Sequence, residues 1–156
     1  MRRLAVAGLG LAALLPPLYR WSVGALLRRN LAALKAGDTG PTFATYAEDV
    51  HFVFPGRNSW TTDIHGREEL ERWVRRFVDA GLQLDPEQVL ISGPPWNTTM
   101  CLRYTDCYTA PDGSVPYENQ GVIYGRIVWG KLKYYEVCED TNKVDDFDAY
   151  LAARGA

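Results

Sequence analysis

The chain has 156 residues, 47% of them hydrophobic and 23% charged, with 17 basic against 19 acidic side chains and a formal net charge of -2. That is one domain's worth of sequence, long enough to bury a core, and its interspersed, near-balanced charge excludes the basic footprint of a nucleic-acid binder. The cysteines, Cys101, Cys107 and Cys138, are odd in number and lack CxxC or Cys/His spacing, which argues against a disulfide framework or a structural zinc site. Cys101 and Cys107 are expected as buried strand thiols in a reducing, cytoplasmic setting.

Met1-Arg2-Arg3 followed by the apolar run Leu4 to Leu15 has the charged head and apolar middle of a secretion signal, without a small-residue cleavage site after it. Pro16-Pro17 are expected to break a helix there. Residues 1-25 therefore form an apolar extension with three readings: a helix packed on the domain, a cleaved signal, or a segment that touches a membrane through residues 1-27. Leu26, Leu27, Leu31 and Leu34 then repeat at helical spacing up to Gly37, where the helix stops.

Thr42 to Tyr46 reads as a short second helix, and Val50 to Phe54 as a strand ended by Pro55-Gly56, with a loop after it. Arg67 to Ala80 is predicted as an amphipathic helix, with Leu70, Trp73, Val74 and Phe77 on one side and Glu69, Glu71, Arg72, Arg75 and Arg76 on the other. Strands follow over roughly Glu87 to Ser92, Thr98 to Thr109, Tyr117 to Val128 and Lys131 to Glu139, linked by Pro111-Asp112-Gly113 and Trp129-Gly130 turns. Asp145 to Ala152 can form a terminal helix. Helices first and hairpin-paired strands afterwards describe an α+β domain in which a curved antiparallel sheet wraps helices and leaves a cone between them.

Leu31 to Asp38, Tyr46 to Val50, Phe54-Pro55-Gly56, Gly66 to Leu70, Gly130-Lys131 and Glu139-Asp140-Thr141, in that order and spacing, resemble the nuclear transport factor 2-like superfamily, especially its SnoaL-like branch. The resemblance covers residues 26-156. It implies the cystatin-like cone, a homodimer packed through the outer sheet face, and a small, apolar, oxygenated molecule as partner. It does not choose between isomerase, cyclase or hydrolase-type catalysis and a non-catalytic binding or assembly module, since such folds host all of them.

The similarity to limonene epoxide hydrolase sets Arg103 on that family's pocket arginine. Thr105 and Val137 stand where its aspartates would be, and His51 and Val53 where its tyrosine and asparagine would be. Against ketosteroid isomerase, Phe54 stands near the catalytic aspartate and Asn30 near the oxyanion tyrosine. The SnoaL-like cyclases use a carboxylate near the end of the last strand to remove a proton beside a carbonyl, and the acids available here are Glu139 and Asp140. Strand alternation forbids both from facing inward: either Tyr135, Val137 and Glu139 do, or Tyr134, Glu136, Cys138 and Asp140 do. Asp140 also suits the cap of the last helix.

The candidate catalytic residues are therefore His51, Glu139 and Asp140, and the candidate substrate-binding residues are Arg103, Asn119, Tyr135, Trp60 and Trp73. His51 offers an imidazole for acid or base work, Arg103 can hold an oxygen or pair with an inward Glu139, and Asn119 can orient a carbonyl from a strand face. The aromatic residues suit the cavity wall or plain core. Asp106 is a further acid if its face turns inward, although its place near a hairpin end favours solvent. No nucleophile-base pair, phosphate loop or metal cluster is legible, so neither cofactor nor metal is expected.

Overall fold

The computed structural model describes residues 3-153, with side chains described from residue 16 onward. The side chains of the apolar run Leu4 to Leu15 and most of the charged head before it lie outside the described residues. The elements are α1 (Arg3–Lys35), α2 (Gly40–Phe43), β1 (Tyr46–Phe54), β2 (Thr62–His65), α3 (Arg67–Asp79), β3 (Leu82–Ser92), β4 (Thr98–Tyr108), β5 (Tyr117–Val128), β6 (Lys131–Glu139) and α4 (Thr141–Ala153).

The strands form one six-stranded sheet in the order β2-β1-β6-β5-β4-β3. Every pair is antiparallel except β1 with β6, which run parallel. The long β4-β5 and β5-β6 hairpins supply the curved wall, and the α helices lie against its inner face. Alternation along β4 is clear: Met100, Leu102, Tyr104 and Asp106 are buried on the inner face, while Cys101, Arg103, Thr105 and Cys107 turn outward. The three cysteines are unpaired, Cys101 and Cys107 half-buried and Cys138 exposed, so none is a core thiol.

Helix α3 behaves as its pattern dictates. Leu70 and Val74 are buried, Trp73 and Phe77 pack beside them, and Glu68 and Glu69 occupy the first turn, where the helix dipole favours acids. Burying Leu70 completely contributes about 1.5–3 kcal/mol. The helix starts after Gly66, which has φ 116°, a conformation only glycine adopts without strain.

Other expectations change as well, and the short second helix lies at Gly40–Phe43, with Tyr46 already in β1. Helix α1 continues through Pro16 and Pro17 instead of breaking there; proline's fixed φ is itself helical, and the cost lies in the two missing N–H donors and in the crowding of each ring against the carbonyl one turn back. From Tyr19 to Lys35 the helix lies along β3 and the start of β4: Tyr19 Oη meets Thr98 Oγ1 at 2.6 Å, and Lys35 pairs with Asp85 at 2.6 Å. The presumed loop after Phe54 contains the edge strand β2, whose length of four residues gave too little alternation to read. β3 begins at Leu82, ahead of Pro86; that proline is tolerated because β3 is the opposite edge and its register slips between Pro86 and Gln88.

Candidate active site

The inner face of the sheet and helices α1, α3 and α4 enclose a cavity of about 140 Å³, room for roughly five waters. Its wall is almost wholly apolar, built from residues such as Leu31, Phe52, Phe77, Leu102, Ile123 and Phe147. Polar groups gather at one end, where β4, β5 and β6 approach α4.

There Glu139 and Asp106 both face the cavity. The Tyr104 hydroxyl donates to Glu139 Oε2 at 2.6 Å, and the Tyr117 hydroxyl donates to Asp106 Oδ2 at 2.9 Å. Tyr104 on β4 reaches Glu139 on β6 only by crossing Gly121, the residue of β5 that pairs with both. A Cβ at Gly121 would lie 2.6 Å from Tyr104 Oη, so the absent side chain is what opens the crossing.

Burial raises the Glu139 carboxyl to about 7, and the neighbouring Asp106 charge adds to the rise. Burial likewise lifts Asp106 to about 6, against the lowering effect of the Tyr117 hydrogen bond. Burial and then the Glu139 charge push the Tyr104 phenol far up, and burial and then the Asp106 charge do the same for Tyr117. Both phenols are therefore donors at every working pH. At pH between about 6 and 7 the carboxyl pair is half-protonated, an acid and a base side by side.

Further polar atoms in the wall lack partners among the described residues. Asp106 Oδ1, Asn30 Oδ1 and the Trp60 indole N–H are buried with no hydrogen bond. Each such group costs about 1–3 kcal/mol until something satisfies it, and all three residues line the cavity. At a separate point of the wall Tyr46 and Tyr135 face each other, hydroxyl to hydroxyl at 3.5 Å, and burial raises Tyr46 to about 12.

The sequence-predicted residues divide sharply. Glu139 and Tyr135 enter the cavity, in the register that also turns Val137 inward, and Trp60 and Trp73 line it. Trp73 spends its N–H on the Trp60 carbonyl at 3.1 Å, which leaves Trp60 as the tryptophan with a donor to offer. Asn119 is buried beneath the site: its amide donates to Tyr117 Oη at 3.3 Å and to the Asp140 carbonyl at 3.0 Å, orienting the phenol and the start of α4. Asp140 lies outside the cavity, its carboxylate accepting from the Asn142 N–H at 3.1 Å as the cap of α4.

His51 and Arg103 lie on the outer face, because each neighbours an inward residue, Phe52 or Tyr104, and side chains alternate along a strand. Arg103 pairs with Glu87 at 2.8 Å, not with Glu139. His51 meets Asp63 at 2.7 Å. Asp106 is 4% exposed, the opposite of what its place near a hairpin end suggests, because α4 folds back over that end of the sheet. Asp106, Tyr104 and Tyr117 stand outside the candidate set, with Asp106 open only as a further acid, yet one signal was usable: Tyr104 and Asp106 are two apart on a strand, so an inward tyrosine implies an inward acid.

No family model and no curated protein matches the sequence. Solved structures do share its shape. An NTF2-like protein of unknown function from Burkholderia pseudomallei is 21% identical with a TM-score of 0.65, over 78% of this chain and 93% of its own. A protein from a soil-derived mobile gene cassette is 19% identical with a TM-score of 0.67, over 83% of this chain and 98% of its own. TerC, co-crystallised with polyporic acid, is 16% identical with a TM-score of 0.65, over 80% of this chain and 95% of its own. With its curved sheet, its helices on the inner face and the cavity between them, the chain has the nuclear transport factor 2-like, cone-shaped α+β fold.

Proposed function

We propose that the cone binds a small, largely apolar molecule bearing a carbonyl or hydroxyl oxygen and moves a proton on it without a cofactor. The observation that carries this reading is the pair of buried carboxyl groups, Asp106 and Glu139, at one end of an otherwise apolar cavity, each held by a tyrosine hydroxyl. An isolated pair of buried acids is costly, and perturbed acids in a cleft are where proton-transfer sites are found.

The chemistry is of isomerase or cyclase type. Asp106, ionised first, takes a proton from a carbon beside the carbonyl through its unpartnered Oδ1. The electron pair released moves onto the carbonyl oxygen, which accepts a hydrogen bond from the protonated Glu139. The proton then returns to a different carbon of the same molecule, so that nothing is consumed. Trp60 Nε1 offers a second anchor for substrate oxygen. That TerC was crystallised with polyporic acid supports a small organic ligand for a cone of this shape.

Deuterium exchange at the α-carbon of a panel of cyclic ketones and enones, followed by NMR in heavy water, tests this. Exchange above the buffer rate that disappears in Asp106→Asn and Glu139→Gln, with ligand binding retained by thermal shift, supports it. Binding without exchange, equal in all three proteins, leaves only the ligand-binding reading, and neither binding nor exchange sinks both.

A second reading concerns where the chain sits, and one observation favours it. Leu18, Trp21, Trp96 and Trp129 are 58%, 71%, 58% and 69% exposed. They cluster about the end of the domain where Tyr19 meets Thr98 and the Trp129 N–H bonds the Pro95 carbonyl. Exposed tryptophans beside an apolar leader suit the water–lipid boundary, so this end is proposed to dock on a bilayer together with residues 1-27. Among the described residues no helix is long and apolar enough to cross a membrane, and the docking proposed is on the bilayer surface. Sedimentation with vesicles of phosphatidylcholine and phosphatidylglycerol tests it: binding lost in the Trp96→Ala, Trp129→Ala double variant supports the reading, and no binding by the full chain overturns it.

A further inference from the structure

The outer face of the sheet carries a cluster that the cavity does not use. His51 on β1 and His65 on β2 are directly opposed in the antiparallel ladder, and Asp63 lies two residues before His65, so all three side chains leave the sheet on one face. The two imidazole rings stack, with centroids 4.0 Å apart and 17° between their planes. Their Nε2 atoms converge on a single atom, Asp63 Oδ1, at 2.7 Å from His51 and 3.3 Å from His65. The donor atoms of all three lie within 4.8 Å of one another.

We propose that His51, Asp63 and His65 bind one divalent transition-metal ion of the zinc class. Zinc takes imidazole nitrogen and carboxylate oxygen at about 2.0–2.2 Å, which sets tetrahedral ligand atoms about 3.3–3.5 Å apart. The two nitrogen–oxygen distances, 2.7 and 3.3 Å, lie at or below that value and the histidine pair lies within 4.8 Å, and Asp63 and His65 are exposed enough to make the remaining adjustment by rotation of their side chains. Two imidazoles and one carboxylate select zinc, copper or nickel over magnesium or calcium, which prefer sites built from oxygen alone.

On binding, each neutral ring carries its hydrogen on Nδ1 and presents the Nε2 lone pair to the metal. Asp63 passes from hydrogen-bond acceptor to ligand, and water fills the fourth position. On the strand beyond β1, the Tyr134 ring meets His51 edge-on at 5.2 Å and walls the site on that side, while its hydroxyl is held by Glu136. The ion would join β2, an edge strand of four residues with a single neighbour, to the strand beside it.

The test is a zinc chloride titration of the full chain, untagged, by calorimetry, repeated on His51→Ala, His65→Gln and Cys138→Ser. One ion per chain is expected, with affinity lowered at least about tenfold in each histidine variant and unchanged in Cys138→Ser, whose exposed thiol is the obvious competing ligand. Zinc is also expected to raise the melting temperature of the wild type and of Cys138→Ser, but not of His65→Gln, a substitution at a side chain 72% exposed. No saturable uptake, uptake that survives both histidine substitutions, or uptake lost in Cys138→Ser would overturn the proposal.

Discussion

Tyr104 and Glu139 are on strands that do not touch, yet their side chains meet at 2.6 Å because the strand between them carries Gly121 at the crossing. The acid end of the cavity therefore depends on a side chain that is missing. Replacing Gly121 by alanine places a carbon 2.6 Å from Tyr104 Oη and 2.9 Å from the Cys138 carbonyl. The carbonyl belongs to a paired strand and cannot yield, so Tyr104 must. Gly121→Ala is expected to cost about 1–3 kcal/mol of stability, measured by urea unfolding, and to abolish ligand-dependent proton exchange.

The raised carboxyls fix how stability varies with pH. An unfolded glutamate ionises near its ordinary value of 4.5, whereas Glu139 in the fold keeps its proton to about 7. Across that window the native state binds more protons than the unfolded one, so stability falls as pH rises. The fall is bounded at about 3 kcal/mol for Glu139 alone. Asp106 contributes in the same direction between 3.8 and about 6. Glu139→Gln should flatten the upper part of the curve and make the protein more stable than wild type above pH 7. Chemical denaturation at pH 5, 6, 7 and 8 measures this, and a wild-type curve that rises through the window would contradict the burial assigned to the pair.

Tyr104→Phe separates the effect of the phenol from that of burial. The Tyr104 hydroxyl favours the ionised form of Glu139, so its loss should move the Glu139 titration upward, above about 7. The side-chain carboxyl signal followed by NMR against pH reads the change directly. A shift downward would mean that water enters in place of the hydroxyl.

Much of this could be read in the sequence and some could not, for physical reasons tied to particular residues. Helix α3 and strands β5 and β6 follow their periodicity because each packs one face on the core and leaves the other in water. His51 and Arg103 looked like site residues because family position fixes a strand but not its face, and a single step along the strand reverses the side chain. Asp106 looked exposed because nothing local announces that α4 returns to cover it, with Phe147 against Tyr117 at 4.7 Å. The Tyr104–Glu139 contact spans 35 positions and rests on one glycine, which local pattern does not reach.

Trp60 and Trp73 sit side by side, ring centroids 5.9 Å apart, and their fates on substitution by phenylalanine should differ. Both changes remove similar volume. Trp73→Phe also strands the Trp60 carbonyl, so it should cost about 1 kcal/mol more in stability than Trp60→Phe. Trp60→Phe removes a buried N–H that has no partner, and its main effect should be a weaker grip on an oxygenated ligand. Thermal melts with and without ligand distinguish the two; equal stabilities would remove the role given to the Trp73 hydrogen bond.

Among the described residues Trp129 is the non-glycine residue with positive φ, at 50°, in a two-residue turn with Gly130 at 78°. That turn conformation favours Asn-Gly, and a bulky side chain in the left-handed region costs about 1–2 kcal/mol. The strain holds an exposed indole 5.9 Å from Trp96 at the end of the domain proposed to meet a bilayer. Trp129→Asn keeps the backbone bond to the Pro95 carbonyl and relieves the strain, so it should raise stability by about 1 kcal/mol. The same variant should bind vesicles more weakly than the wild type. A variant that is more stable and binds vesicles equally well would leave Trp129 without a reason for its conformation and would count against the docking surface.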